Sequence, residues 1–190
     1  MAVHQSLILG KNPRGTIGKQ ITFASWKGIG VAKVRPIPSN PKTSAQTTQR
    51  NNFKALVTEW HHEDRTATDK EAWDLRASRQ SRPMSGFNLF MSLYRSAFYN
   101  GKTLDFFRGC TVSLSGTTVS YSGKGSYDGD ITINVYTKSG ALIKSESDTV
   151  SGGTFSGTVT VPSGTTEVFV IFKYDVTNHF GESGTYYDKA

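Results

Sequence analysis

The densest group of chemically capable side chains is His61-His62-Glu63-Asp64, since imidazoles and carboxylates bind metals and carry protons. A helical metal site needs its ligands on one face, as two histidines four positions apart would supply. Neighbouring residues on a helix diverge by about 100°. The adjacent histidines therefore indicate a solvent-exposed turn between two helices, and not a metal site.

Two smaller features lack the residues that would complete a reactive site. Asp128-Gly129-Asp130 resembles the start of a calcium loop, but the remaining ligands are missing, so a hairpin tip is predicted. Cys110 is the only cysteine, which excludes an intramolecular disulfide, and we predict a buried, inert thiol. No catalytic triad or phosphate loop has supporting context. We therefore predict a protein that is not an enzyme, with no cofactor, no metal and no small-molecule substrate.

The strongest signal is electrostatic, because the first fifty residues contain no Asp or Glu. Glycines recur in this stretch and let a backbone lie close to another surface. A segment of one charge sign repels itself and stays extended until a partner neutralises it. We therefore predict an extended arm that docks onto other molecules. Its basic residues are Lys11, Arg14, Lys19, Lys27, Lys33, Arg35, Lys42 and Arg50.

The charge differs between the two parts of the 190-residue chain. Residues 1–108 hold 17 basic and 7 acidic side chains, whereas residues 109–190 hold 5 basic and 8 acidic ones. This asymmetry favours a basic part that faces nucleic acid or an acidic protein surface, and self-assembly between opposite charges is the alternative. Hydrophobic residues make up 36%, which is low for a compact globule, so some burial against neighbouring molecules is expected.

Residues 1–42 are predicted to form the basic arm with a β-hairpin. Residues 21–26 and 31–35 have the β-branched and aromatic content of strands, and Lys27-Gly28-Ile29-Gly30 connects them. A two-stranded hairpin is marginal alone in water, so we expect it to add to another sheet. The boundary is an extended segment imposed by Pro36, Pro38 and Pro41.

Residues 43–108 are predicted to form a segment of three helices. The first covers residues 44–60, the second starts at Thr68 with the capping-box spacing of Thr68 and Glu71, and the third starts near Ser85. Apolar residues at positions i, i+3, i+4 and i+7 give the first helix a stripe that faces a core. The predicted core residues are Phe53, Trp60, Trp73, Phe87 and Phe90.

Residues 109–190 are predicted to form an antiparallel β-sandwich of immunoglobulin-like type. Apolar and polar residues alternate over 131–135, residues 167–174 have the nearly continuous apolar pattern of a central strand, and turn signals recur about every ten residues. The Cys-Trp-Cys pattern of true immunoglobulin domains is absent. The expected fold class is α+β, with the arm, the three helices and the sandwich in that order.

Phe23 and Trp26 stand among basic residues, a combination with two interpretations. Aromatic rings with cations bind single-stranded nucleic acid by stacking. The same residue types anchor protein interfaces, which is the interpretation we favour here. The predicted interaction residues are Lys11, Arg14, Lys19, Phe23, Trp26, Lys27, Lys33, Arg35 and Arg50.

An ordered series of short motifs covers about residues 6–95. The motifs are Ser6-Leu7-Ile8-Leu9-Gly10, Gly15-x-x-Gly18, Ser25-Trp26-Lys27-Gly28, Val34-Arg35, the run Asn40-Pro41-Lys42-Thr43-x-x-Gln46-x-x-Gln49-Arg50-x-x-Phe53, Trp60, Ala72-Trp73 and Ser85-Gly86-Phe87-Asn88-x-Phe90. The series resembles the signature of an uncharacterised domain family of bacterial genomes and tailed-phage structural gene clusters. That family has no established activity, so the resemblance implies a location more than a mechanism.

The function expected from these patterns is that of a non-enzymatic structural component of a phage particle. The first expectation is a capsid-associated minor or decoration (cement) protein whose basic arm clamps neighbouring subunits. A head–tail connector or tail component, a nucleic-acid-binding protein and a carbohydrate-binding adhesin are the alternatives. The expected partners are the protein itself and other virion proteins, with packaged nucleic acid as a further contact. No membrane span or signal peptide is evident, so we expect synthesis in the host cytoplasm and a final location in the virion.

Overall fold

The structure of the protein, a computed structural model, describes residues 14–35, 37 and 39–190, without the side chain of Trp26. The chain divides into two compact units, the first ending at Ser44 and the second covering residues 45–190. Lys11, Pro36 and Pro38 lie outside the described residues, so the interaction predicted for Lys11 and the extended boundary predicted at the two prolines stay predictions.

Three antiparallel strands form the described part of the first unit, in the order β1-β2-β3. They are β1 (Gly15–Ile17), β2 (Ile21–Trp26) and β3 (Ile29–Val34). Lys27 and Gly28 join β2 to β3, with φ of 50° and 79°. Positive φ at both positions is what a two-residue turn of type I′ requires, and glycine adopts it without strain. The predicted hairpin therefore forms, but its connection is two residues and not four, because Ile29 and Gly30 are paired within β3; β1 makes it a three-stranded sheet.

Three helices open the second part of the fold: α1 (Ser44–Trp60), α2 (Ala67–Ser78) and α3 (Gly86–Tyr99). The predicted start of α2 at Thr68 is wrong. Thr66 is the N-cap, because its hydroxyl accepts a hydrogen bond from the Asp69 amide while the Asp69 carboxylate accepts one from the Thr66 amide. For α3 the predicted start is confirmed, since Ser85 is its N-cap.

The helices share a core of aromatic and aliphatic side chains: Leu56, Trp60, Trp73, Ala77, Leu89, Phe90, Met91 and Tyr94. Of the predicted core residues, Trp60, Trp73 and Phe90 are buried, and Phe87 is half-buried against the cluster. The prediction for Phe53 is wrong, because this ring is 54% exposed. Phe53 lies on the apolar stripe of α1 one turn before Leu56, in a part of the helix that the core residues do not cover.

Nine strands complete the fold. They are β4 (Thr103–Leu104), β5 (Phe107–Ser115), β6 (Thr118–Gly125), β7 (Asp130–Tyr136), β8 (Leu142–Thr149), β9 (Thr154–Thr160), β10 (Glu167–Tyr174), β11 (His179–Phe180) and β12 (Tyr186–Lys189). One antiparallel sheet has the order β5-β6-β9 and another the order β12-β10-β7-β8, while β4 and β11 form a short parallel pair. The predicted central strand over residues 167–174 is confirmed as β10.

The two larger sheets contribute to one hydrophobic core, which holds Phe107, Val119 and Phe155 from one sheet with Ile133 and Phe172 from the other. The fold is therefore α+β, with three helices and antiparallel sheets packed in a sandwich-like arrangement. Cys110 lies in this core, as predicted, and burial raises the pKa of its thiol.

Asp128 does not lie at a hairpin tip, because residues 126–129 connect β6 to β7, which belong to different sheets. Its carboxylate instead accepts hydrogen bonds from the amides of Gly152 and Gly153, at 3.2 and 2.8 Å. Asp130 is the first residue of β7 and accepts a hydrogen bond from the Thr149 hydroxyl. The polar residues of this connection thus fasten the loop before β9.

The helices and sheets of residues 45–190 belong to one compact unit, and the predicted boundary after residue 108 falls within β5. Two buried carboxylates tie the helices to β5. Asp69 accepts hydrogen bonds from the amides of Gly109 and Cys110. Glu59 pairs with Arg65 at 3.1 Å and with Arg108 at 2.5 Å.

Among the described residues, every helix is too short or too polar to cross a membrane.

Glu182 ties α2 to β10, and its ionisation gives an expected pH dependence. It pairs with Arg76 and, at 2.9 Å, with Lys173. Burial alone would raise the pKa of Glu182, but the two cations outweigh it and hold the pKa below its ordinary value of 4.5. The unfolded chain therefore binds the proton first as the pH falls. The contribution of ionised Glu182 to the stability of the fold is therefore present above about pH 4.5. It is lost as the pH falls through the pKa that Glu182 has in the folded protein.

We therefore expect Glu182→Gln to lower the free energy of unfolding by about 2 kcal/mol at pH 7, because two cations lose their charged partner. The difference from wild type should shrink towards zero below pH 4.5. Urea denaturation at pH 7, 5 and 3.5 measures this difference. Glu146→Gln is the matched control, since its ion pair with Lys144 is exposed, and its effect should be small at every pH. An equal deficit for Glu182→Gln at all three pH values would contradict the expectation.

Candidate interaction surfaces

The strand register of the N-terminal sheet gives its two faces different chemistry. Gly15, Phe23 and Ala32 are paired across the three strands, and so are Ile17, Ile21 and Val34. Cross-strand partners point to the same side of a sheet, and alternate residues of a strand share that side. We call this side the apolar face; its side chains are those of Ile17, Ile21, Phe23, Ala32 and Val34 and the uncharged Ser25, with Gly15 and Gly30.

The opposite side, which we call the mixed face, holds Thr16, Thr22, Lys33, Ala24, Val31 and Ile29. A contact of 3.2 Å between the hydroxyls of Thr16 and Thr22 agrees with this assignment. Lys33 is the one charged residue within the three strands, and it lies on the mixed face. The register therefore leaves the apolar face without any charged side chain.

The apolar face is open to solvent. Ile17, Ile21 and Val34 are 53%, 45% and 81% exposed, and none of the described side chains of residues 14–35 is buried. Burying an aliphatic side chain of this size contributes about 1.5–3 kcal/mol, so the exposed face forgoes a large share of its stabilisation. A contiguous apolar surface of this kind is typical of a protein interface.

The predicted basic residues surround this sheet. Arg14, Lys19, Lys27, Lys33 and Arg35 are all exposed, at strand ends, in turns or on the mixed face. Phe23 is half-buried and lies on the apolar face, with no basic residue of the strands beside it. The sequence interpretation missed Ile17, Ile21 and Val34 as site residues. Their alternation along β2 and β3 was a usable signal, but the faces became assignable only once β1 was paired.

Arg50 is the one predicted interaction residue that lies in the second unit, on the rim of a groove between α1 and α3. The groove consists of two adjoining depressions of about 480 and 270 Å³ that share Phe53, Met91 and Arg95. Leu56 and Met91 are buried beneath it, whereas Phe53 and Tyr99 are exposed. The groove is thus apolar at its base, with an aromatic ring contributed by each helix.

Arg95 lies against Tyr99, one turn further along α3. Its guanidinium lies 5.4 Å from the centre of the Tyr99 ring and donates a hydrogen bond of 3.3 Å to the Tyr99 hydroxyl. That hydroxyl in turn donates to the side-chain oxygen of Gln49 on α1. No carboxylate is among the residues that line either depression. The groove is therefore positively charged and has a fixed cation.

One His–Asp pair in the second unit has the geometry of a catalytic dyad. His179 Nδ1 lies 2.6 Å from Asp105 Oδ2, and its ring stacks on Tyr127 with centroids 4.2 Å apart. A dyad needs a nucleophile within hydrogen-bond reach. Within the part of the chain that the structure describes, no hydrogen bond joins His179 to a hydroxyl or thiol. The pair joins Asp105, the residue after β4, to His179 of β11, and so holds the segment that follows α3.

The turn between α1 and α2 holds the His61–Asp64 cluster. The His62 ring accepts a hydrogen bond from the Asp64 amide, and the Asp64 carboxylate pairs with Lys124 at 2.6 Å. This pairing, with the hydrogen bond from Lys124, lowers the pKa of Asp64. Among the described residues, no group of three or more His, Cys, Asp or Glu side chains is placed to hold a metal ion.

Comparison with protein-family models, with curated proteins and with solved structures gives no significant match for this chain.

Proposed function

We propose that the protein is a non-enzymatic structural component of a phage particle, and foremost a capsid-associated decoration protein. The observation that carries the proposal is the apolar face of the N-terminal sheet, which no residue of that sheet covers. Such a face gains its stabilisation when a neighbouring subunit covers it. The arm would act by docking this sheet onto the neighbour and so clamping adjacent subunits.

The chemistry of the sheet indicates the kind of neighbour. Residues 1–44 contain no acidic side chain, so a second copy of the sheet would be repelled by like charges. A protein surface with an apolar centre and surrounding carboxylates would satisfy both the apolar face and the cations around it. Other virion proteins are therefore the favoured partners of the sheet.

Nucleic-acid binding is the second candidate, favoured by the run of cations without carboxylates. Phosphate contacts would use the turns and the mixed face, and would leave the apolar face uncovered. This candidate predicts binding that falls steeply with salt and is lost when four basic residues become glutamine: Lys27, Lys33, Arg35 and Arg50. A head–tail connector or tail component remains the alternative location within a particle.

The second unit would be the folded body that the docked sheet attaches to the particle. We infer that its two larger sheets form a sandwich of immunoglobulin-like type. The support is a division into three strands, β5-β6-β9, against four, β12-β10-β7-β8, with a common core. The location in a virion rests on the resemblance of residues 6–95 to a domain family of tailed-phage structural gene clusters.

Deletion of residues 1–35 tests the proposal in the phage whose genome encodes the chain. We expect the full-length protein to sediment with gradient-purified particles, and the deletion variant to be absent from them, because the docking sheet is gone. Residues 45–190 hold both hydrophobic cores, so circular dichroism should show that the variant still folds. Incorporation of the folded variant at the wild-type level would contradict the proposal, and so would absence of the full-length chain from particles.

A further inference from the structure

The groove between α1 and α3 contains an aromatic residue that the fold leaves uncovered. Phe53 continues the apolar stripe of Leu56 and Trp60, both of which are buried in the helical core. A phenylalanine at such a position would normally be covered, because burying an aliphatic or phenyl side chain contributes about 1.5–3 kcal/mol. Here its ring borders the groove, above the buried Leu56 and Met91. The position therefore offers an apolar anchor point to another molecule.

The charge of the groove limits what that molecule is. Arg50 and Arg95 are both on its border, and no carboxylate lines it. Elsewhere in the same unit Arg65, Arg76 and Arg108 each pair with a glutamate. Among the described residues, Arg95 instead lies against Tyr99, which orients its guanidinium without neutralising it. A guanidinium held in this way is suited to bind a carboxylate through two parallel hydrogen bonds.

From this combination we propose that the groove binds an acidic, amphipathic peptide segment of a partner protein. A bulky apolar side chain of the segment enters between Phe53 and Met91, and a carboxylate of the segment pairs with Arg95. Grooves between two helices commonly bind such segments, and methionine adapts its shape to the side chain that enters. Arg50, on the α1 side, is placed to pair with a second acidic residue.

Single-stranded nucleic acid fits the same groove less well. Base stacking needs an open aromatic face beside a track of cations. The face of Tyr99 is already occupied by Arg95, which leaves Phe53 as a single open ring with no second ring on which a neighbouring base could stack. The groove is also lined by the polar but uncharged Asn88, Ser92 and Ser96, so its cations form two points and not a continuous track.

A random 12-residue peptide library tests this proposal with the purified full-length chain and without any phage particle. The outcome is therefore independent of the proposed particle function, which the deletion experiment tests. Peptides selected on the wild-type chain would be synthesised, and their dissociation constants measured by fluorescence anisotropy. We expect the selected sequences to combine at least one bulky apolar residue with acidic residues.

Four variants locate the binding site. Arg95→Gln and Phe53→Ser should each weaken binding about tenfold or more, because each removes one of the two recognition elements. Arg82→Gln is the matched control: this arginine is exposed and lies outside the groove, so it should leave binding unchanged. Arg95→Lys should retain part of the affinity, since it keeps the charge but loses the planar fork.

Urea denaturation of each variant separates loss of binding from loss of folding, and both groove residues are exposed enough to leave the core intact. The proposal is overturned by a library that yields no binders, by selected peptides without acidic residues, or by equal affinity for wild type and Arg95→Gln. Binding of a 16-residue oligothymidylate that depends on Arg95 and Phe53, without any peptide binding, would assign the groove to nucleic acid instead.

Discussion

Asp69→Ala is expected to lower the free energy of unfolding by about 4 kcal/mol, because several hydrogen-bond donors lose one common buried acceptor. The Asp69 carboxylate is fully buried. It accepts hydrogen bonds from the amides of Thr66, Gly109 and Cys110, at 2.7, 2.8 and 3.1 Å, and from the hydroxyl of Tyr186. One side chain thus caps α2 and joins it to β5 and β12.

Removal of this carboxylate leaves three amides without this acceptor: that of Cys110 is buried, that of Gly109 half-buried, and Thr66 lies at an exposed position. Burial raises the pKa of Tyr186 well above its ordinary value of 10.0, so its hydroxyl stays protonated and also loses its acceptor. Each unsatisfied buried donor costs about 1–3 kcal/mol before relaxation and water entry. For Asp69→Ala we therefore expect these costs to add up to a loss of about 4 kcal/mol in the free energy of unfolding.

Asp69→Asn sharpens the test because it preserves the shape of the side chain. Amides of the backbone face both carboxylate oxygens, Cys110 at Oδ1 and Thr66 with Gly109 at Oδ2. The asparagine amide group would thus point a donor at a donor in either orientation. We expect a loss of at least 2 kcal/mol, measured by urea denaturation at pH 7. A loss below 0.5 kcal/mol would show that the network contributes little to stability.

Periodicity and capping residues were sufficient to predict most secondary-structure elements. The first helix follows from apolar spacing, the starts of the other two from capping patterns, the hairpin from β-branched and aromatic content, and the central strand β10 from a nearly continuous apolar run, all of which are local in the sequence. The start of α2 was misplaced because Thr66-Asp69 and Thr68-Glu71 have the same spacing. The choice between them depends on β5, since Asp69 also binds the amides of Gly109 and Cys110.

The candidate surfaces depended more on tertiary structure than the elements did. The stripe of α1 predicted a buried Phe53, but the extent to which neighbouring helices cover a stripe is not a local property. The sequence did not identify Arg95 as a binding residue. Its suitability depends on its contact with Tyr99 and on the absence of carboxylates from the groove lining, which only the tertiary structure shows. For the N-terminal sheet, the sequence predicted interaction through charge, whereas the register adds an uncharged apolar face.

Val34→Asp is expected to reduce incorporation into particles by more than tenfold, while Val31→Asp leaves it near the wild-type level. Both valines lie on β3, on the apolar and the mixed face respectively. A carboxylate introduced at Val34 would be buried in the interface, at a cost of several kcal/mol, and each 1.4 kcal/mol is a factor of ten in the binding constant. At Val31 the same carboxylate would stay in solvent beside basic residues.

The pair of variants separates the two candidate functions of the N-terminal sheet, because both make the same chemical change on the same strand. Each lowers the net charge by one, but a protein that binds phosphates through its turns and the mixed face would be weakened at least as much by Val31→Asp, which lies on that face with Lys33. Docking through the apolar face predicts that only Val34→Asp has a large effect. Quantitative immunoblots of gradient-purified particles measure incorporation, and circular dichroism checks the fold. A loss for Val31→Asp as large as, or larger than, that for Val34→Asp would favour the nucleic-acid candidate, and no loss for either would exclude the apolar face as the docking surface.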